Sequence, residues 1–187
     1  LNLTETKSHH QLFLSIVVTK KGKSITFHED DVRSMGRSAG GVRAITLDKD
    51  DEVVSMELDS TGERELLVMT KKGFGKRTSL DEYRLQTRGG KGVSTYDKTK
   101  FSKTGELVGA TLVSKDDEIM LINSNGVIIR IRANEISKSG RTTQGVKIMK
   151  VESGDEIVSF AKVLDEDDAS KPMTKKEKAD SEQMTLV

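Results

Sequence analysis

The sequence predicts an all-β chain of propeller type, and three observations carry that reading. The apolar runs are short, rich in Val and Ile, and bounded by Gly, Asp, Asn and Ser, which is the pattern of strands rather than helices. One sequence pattern recurs three times, with 51 and 53 residues between its turn glycines. The 187 residues include 16 Gly and a single Pro, with 33% charged and 34% hydrophobic residues, the composition of one globular domain with many turns. A repeat of this length holds roughly four strands, and radial repetition of such units protects sheet edges. A double-sheet sandwich is the alternative. Kelch-type blades are set aside, because two Tyr and no Trp cannot build their aromatic signature.

Each unit is built from the same elements in the same order. An apolar run ends in a glycine turn: Ile16-Val17-Val18-Thr19-Lys20-Lys21-Gly22, Leu66-Leu67-Val68-Met69-Thr70-Lys71-Lys72-Gly73 and Ile119-Met120-Leu121-Ile122-Asn123-Ser124-Asn125-Gly126. Ten residues on stands a large apolar residue, Val32, Tyr83 or Ile136, expected in the core. Nineteen residues after each turn glycine comes a second glycine followed by Val, at Gly41-Val42, Gly92-Val93 and Gly145-Val146, and four residues before it an arginine, Arg37, Arg88 or Arg141. A closing strand follows Glu52, Glu106 and Glu156. The units cover about 11–59, 64–112 and 117–163 within a domain of residues 1–163. Residues 164–187, from Asp165-Glu166-Asp167-Asp168 through Lys175-Lys176-Glu177-Lys178, lack apolar periodicity and are expected to form a disordered tail of mixed, mainly acidic charge.

The net charge of +1 conceals an uneven distribution. The tail carries seven acids and four bases, which leaves +4 on residues 1–163. Within that body, residues 64–112 hold eleven bases against five acids, whereas 11–59 hold seven against nine and 117–163 seven against six. A basic middle unit points to a polyanionic partner or to an ordinary solvated surface. With no cysteine, disulfides and thiolate chemistry are excluded, and a cytoplasmic location is expected. No apolar run approaches the roughly 20 residues of a membrane span, so no membrane partner is expected. The chain starts at Leu1 rather than Met, and is expected to be a piece of something longer.

Enzymatic chemistry finds little support. His9, His10 and His28 have no carboxylate partner at metal-ligand spacing, no Gly-x-Ser-x-Gly elbow is present, and the acidic clusters at 48–52 and 116–118 lack calcium-loop spacing. A phosphate loop needs Gly five residues before its Gly-Lys and a hydroxyl after it, where Leu85 and Gly92 stand. Neither a catalytic nor a metal site is therefore expected.

What remains is Gln86-Thr87-Arg88-Gly89-Gly90-Lys91-Gly92. Three glycines let the backbone approach a phosphate, while Arg88 and Lys91 supply charge. Lys71, Lys72, Lys76, Arg77, Arg84, Lys98, Lys100 and Lys103 would extend the surface if the turns of one blade share an edge. The alternative is a glycine-rich turn carrying ordinary surface charges.

This segment resembles the box motif, Gln-basic-Arg-Gly-Gly-Lys-Gly, of the C-terminal domain of the bacterial DNA gyrase A protein. Gly73-Phe74-Gly75-Lys76-Arg77-Thr78-Ser79-Leu80-Asp81-Glu82-Tyr83-Arg84 is similar to the same family, as are Val32-Arg33-Ser34-Met35-Gly36-Arg37 and Gly140-Arg141-Thr142-Thr143-Gln144-Gly145-Val146. The resemblance covers about residues 11–163. It implies a β-pinwheel, a propeller-like disc of strand-exchanging blades whose rim wraps double-stranded DNA for negative supercoiling by a type II topoisomerase. The three units would be its last three blades. It further implies that catalysis, ATP and Mg2+ belong to other domains, that this chain carries no cofactor, and that its partners are the remainder of gyrase A and the gyrase B protein in the cytoplasm, at the nucleoid. The DNA-contacting residues implied are Gln86, Arg88, Gly89, Gly90, Lys91, Gly92, Lys76, Arg77 and Arg84, with Arg37 and Arg141 either in equivalent rim loops or anchoring their own turns. Thr87 departs from the box, where a basic residue is usual, and the box lies in the second unit rather than the first. The related A protein of topoisomerase IV is the near alternative, and a protein-interaction propeller that docks an acidic partner is the alternative from another class.

Overall fold

The computed structural model describes residues 13–59 and 64–163. The tail expected at 164–187 lies outside them. Among the described residues eleven strands are formed: β1 (Leu14–Thr19), β2 (Lys23–His28), β3 (Val53–Asp59), β4 (Glu65–Thr70), β5 (Phe74–Ser79), β6 (Val93–Ser94), β7 (Leu107–Val113), β8 (Glu118–Asn123), β9 (Ile128–Arg132), β10 (Val146–Lys147) and β11 (Ile157–Val163). A single helical turn, α1 (Phe101–Thr104), precedes β7.

The strands form three antiparallel sheets, ordered β3-β1-β2-β6, β10-β5-β4-β7 and β11-β8-β9. Each is a blade whose first three strands come from one sequence unit. The fourth strand of the first two blades is donated by the following unit: β6 pairs with β2 through Lys23↔Ser94 and Ser24↔Val93, and β10 with β5 through Phe74↔Lys147 and Gly75↔Val146. The third blade has three strands: the second and third units each supply the expected four, one of them to the preceding blade, and the first unit supplies three among the described residues.

Glycine makes the exchange possible. Gly92 and Gly145 have φ of +69° and +73°, and a Cβ added to either would penetrate the carbonyl of Ser24 or Gly75 on the accepting strand. A residue with a side chain would meet both left-handed strain and a backbone clash. The hairpin turns at Gly22 and Gly73 also need positive φ, +74° and +77°.

The core lies between blades. All six residues of β4 are buried. Their alternation sends Leu66 and Val68 toward Ile16 and Val18 of β1, and Leu67 and Met69 toward Ile119 and Leu121 of β8. Burying each such side chain contributes about 1.5–3 kcal/mol. Tyr83 and Ile136 lie in these two clusters as expected, but Val32, in the same phase, is 37% exposed. The reason is positional: Tyr83 and Ile136 pack against the preceding blade, and the first blade has none among the described residues. Its outer face is partly covered instead by Ile45, which packs on Val17, Ile25 and Phe27.

Gly92→Ala is expected to lower stability by about 1–3 kcal/mol, the cost of a strained residue at a tight backbone approach, read from the urea denaturation midpoint.

Candidate nucleic-acid interface

The box loop is held between two segments of the first unit. Along one side it follows β2, where the Gln86 amide donates to Thr26 O (2.8 Å) before Gly92 reaches Ser24. Along the other side lie residues 43–46. The Gly89 amide donates to Ala44 O (2.7 Å), the Thr46 amide to Gly90 O (2.8 Å) and Thr46 Oγ1 to Gly89 O (2.7 Å). Ile25 and Ile45 form its floor, each within about 3.5 Å of where a Cβ on Gly90 or Gly92 would stand. The amide of Gly89, a residue the resemblance implied as a DNA contact, is thus committed within the protein.

Arg88 is committed as well. Its Nη1 donates to Arg43 O (2.7 Å) and its Nε to Asp31 O (3.2 Å). One unit later, Arg141 Nη1 donates to Ser94 O (2.7 Å), and the Arg141 amide donates to the Glu82 carboxylate (2.9 Å). Arg43 and Ser94 each stand two residues after the second glycine of their unit. The repeated arginine is therefore a clamp from each loop onto the preceding one. A guanidinium has five N–H donors, so a clamped arginine retains donors for a second partner. Arg37, in the same phase, is exposed and has no hydrogen bond or ion pair among the described residues.

Lys91, Arg84, Arg33, Arg37 and Arg43 are exposed cations of this region, and none of their side chains has a partner among the described residues. Gln86 is half-buried, its side-chain amide nitrogen lying inside without a hydrogen-bond partner.

Lys76 and Arg77 are placed otherwise than expected. β5 lies between β4 and β10 and faces a blade interface on each side, so both side chains are buried. The Lys76 ammonium donates to Gly140 O and Arg141 O (2.6 Å each) and to Thr143 Oγ1 (3.3 Å), beneath the Arg141 loop and 5.6 Å from the Tyr96 ring centre. In the first blade the counterpart of Lys76 is Ile25, so one rim loop rests on a hydrocarbon floor and the next on a cation. Burial, reinforced by Arg141 and opposed by Glu82 and Asp97, pulls the Lys76 ammonium down to about 8. Arg77 pairs with the Glu65 carboxylate and donates from Nε to Ile136 O (2.8 Å). Burial of Glu65 opposes its ionisation, but Lys138 (2.9 Å) and Arg77 outweigh it and hold the carboxyl below its ordinary range. Both cations belong to the scaffold.

A second basic group escaped the sequence reading in part. Lys103 and Lys147 stand 5.6 and 5.2 Å from the Phe74 ring centre, and with Lys72 they line a cavity of about 420 Å3 that also includes Glu152 and Asp155. Lys147 and Arg43 were not singled out, although both stand two residues after a second glycine; that offset was the available signal. No group of three or more His, Cys, Asp or Glu that would hold a metal is found among the described residues. None of the described helices is long and apolar enough to cross a membrane.

The family described as "DNA gyrase C-terminal domain, beta-propeller" matches residues 16–58, 64–114 and 117–163. The chain belongs to this family. It is 42% identical over 154 residues to the DNA gyrase A protein of Staphylococcus epidermidis, covering 82% of this chain and 17% of that protein. It is 45% identical over 142 residues to the gyrase A protein of Thermotoga maritima, covering 75% and 17%. It therefore spans about a sixth of the length of these relatives. Among solved structures, a DNA gyrase A C-terminal domain matches with a TM-score of 0.76 at 29% identity, over 83% of this chain and 52% of that one. The C-terminal domain of a DNA topoisomerase IV matches with a TM-score of 0.77 at 25% identity, over 93% and 52%. The fold is shared by both enzymes, while the family and the named relatives favour gyrase.

The buried lysine has a pH signature. Its folded pKa of about 8 lies below its ordinary 10.5, so between these values the unfolded chain binds more protons and folding stability rises with pH. Lys76→Met should remove that increment, read as a flatter dependence of the denaturation midpoint between pH 8 and 10.5 than in the parent chain.

Proposed function

We propose that this chain binds duplex DNA along its rim and wraps it, as the non-catalytic C-terminal part of a gyrase A protein within an ATP-dependent type II topoisomerase. The observation that carries the reading is the clamp geometry: Arg88 and Arg141 tie successive loops together, and the same stretch bears the exposed cations Lys91, Arg84 and Arg43. A chain of rigidly linked basic loops suits a partner that is itself a continuous line of charge, about one phosphate per 1.7 Å of duplex.

Bending the duplex sets the demand on that surface. Smoothly bending 20–30 base pairs by 40–90° costs about 1–6 kcal/mol, so several phosphate contacts must act together. Phosphate contacts position the duplex without reading its sequence. Low base specificity and steep salt dependence follow. In this reading DNA cleavage, ATP and Mg2+ belong to the other domains of gyrase A and to gyrase B, which are its protein partners, and the assembly works at the cytoplasmic nucleoid.

Fluorescence anisotropy of an arbitrary-sequence duplex through a salt titration tests the proposal. Binding should weaken steeply as salt rises. Lys91→Ala should reduce the log–log slope by about 0.9, the release of one phosphate contact, without changing thermal stability. Arg88→Ala should weaken binding and also lower the melting temperature, because it opens the clamp. Salt-independent binding, or none by a folded chain, would overturn the wrapping role and favour docking of an acidic protein.

A further inference from the structure

We propose that the loop of residues 140–143 is a phosphate-binding site which the Glu82 carboxylate occupies in the free chain, so that a duplex phosphate must displace Glu82 to bind there. The source of the phosphate rests on the duplex-binding reading, and the test separates the site from that source.

Lys76 organises the loop from beneath. Its ammonium draws in Gly140 O and Arg141 O (2.6 Å each). A trans peptide directs its C=O and N–H to opposite sides, so the amides of Arg141 and Thr142 face away from Lys76. Successive outward amides make an anion-binding surface. The Arg141 amide already holds an anion, because the Glu82 carboxylate accepts from it at 2.9 Å. The Thr142 amide has no partner among the described residues, and Thr142 and Glu82 are both exposed, so an oxyanion can approach from solvent. The Arg141 guanidinium commits Nη1 to Ser94 O and keeps its other donors.

The local charge favours an anion. Lys76 is fully buried, yet its partners are two carbonyls and a hydroxyl, and it has no ion pair among the described residues. A buried cation beside a second one attracts negative charge strongly, because little water screens it. Against Lys76 and Arg141, Glu82 sets one negative charge and reaches one of the two amides. A phosphate diester carries the same single charge on two free oxygens, enough to meet both.

The first junction shows that these features are particular to this loop. There the floor is Ile25, and the Gly89 amide, in phase with Thr142, is committed to Ala44 O (2.7 Å). Asp31, in phase with Glu82, meets Arg88 through its main-chain carbonyl (3.2 Å). The box loop thus has that amide closed, whereas its counterpart one unit later has an open amide, a cation beneath it and a carboxylate holding its place.

The test is titration of the isotope-labelled chain with inorganic phosphate and, separately, with an arbitrary-sequence duplex, read at the backbone amide resonances. Both ligands should shift the Arg141 and Thr142 amides. Glu82→Ala should bind each about ten-fold more tightly, the effect of no longer displacing a charged hydrogen bond. Asp81→Ala removes the same charge from an exposed neighbour that bonds to Ser79 Oγ instead (3.2 Å), and should stay close to the parent affinity. Adding Lys76→Met to Glu82→Ala should abolish the gain. A folded Glu82→Ala chain with parent affinity for phosphate overturns the proposal, as does an equal gain in Asp81→Ala. Shifts with inorganic phosphate but not with duplex retain the anion site and overturn DNA as the source of its ligand.

Discussion

The contact on which the rest of this structure depends is the close approach of a donated glycine to the backbone of the preceding blade. Gly92 against Ser24 and Gly145 against Gly75 let two-residue strands complete sheets built from another unit. Once that approach is made, the residues downstream have fixed places. Tyr96 and Met149 enter the clusters between blades, and Arg141 of the next loop meets the Ser94 carbonyl on the new strand β6. Rim, core and blade order are thus consequences of one short pairing repeated at a constant offset.

Charge is divided by the same geometry. Cations on β5 point into the blade interfaces, where Arg77 is matched by Glu65 and Lys76 by carbonyls. Burying such groups costs solvation that their hydrogen bonds must offset, so their value lies in fixing where the Arg141 loop sits more than in net stability. Cations on the loops stay in water, and in the proposed function it is these that a polyanion would meet. In the proposed function the clamp arginines would combine both roles, because a guanidinium has five N–H donors and the clamp uses only some of them.

In the proposed function a rim assembled from linked repeats would supply contacts at intervals, which is what sharing the bending cost of a stiff duplex requires. The Gly-rich box is then best understood as a structural joint. Its glycines admit Ile25, Ile45 and the carbonyl of Ser24, and its exposed Lys91 supplies the charge.

Much of this was legible from the chain alone. The repeat period, the two glycine phases and the Val- and Ile-rich runs determined an all-β array of three units, because strand pattern and turn chemistry are local properties. The arginine phase was equally visible, but its two readings were separated only by the carbonyls it meets. Tertiary structure alone decided that the first and second blades take their fourth strand from the next unit, since pairing partners far apart in sequence leave no local trace. It also decided that Lys76 and Arg77 lie inside while Lys91 and Arg84 lie outside. Neighbouring cations look alike in a sequence, and which of them is solvated depends on whether a second sheet covers the face to which the pleat directs them.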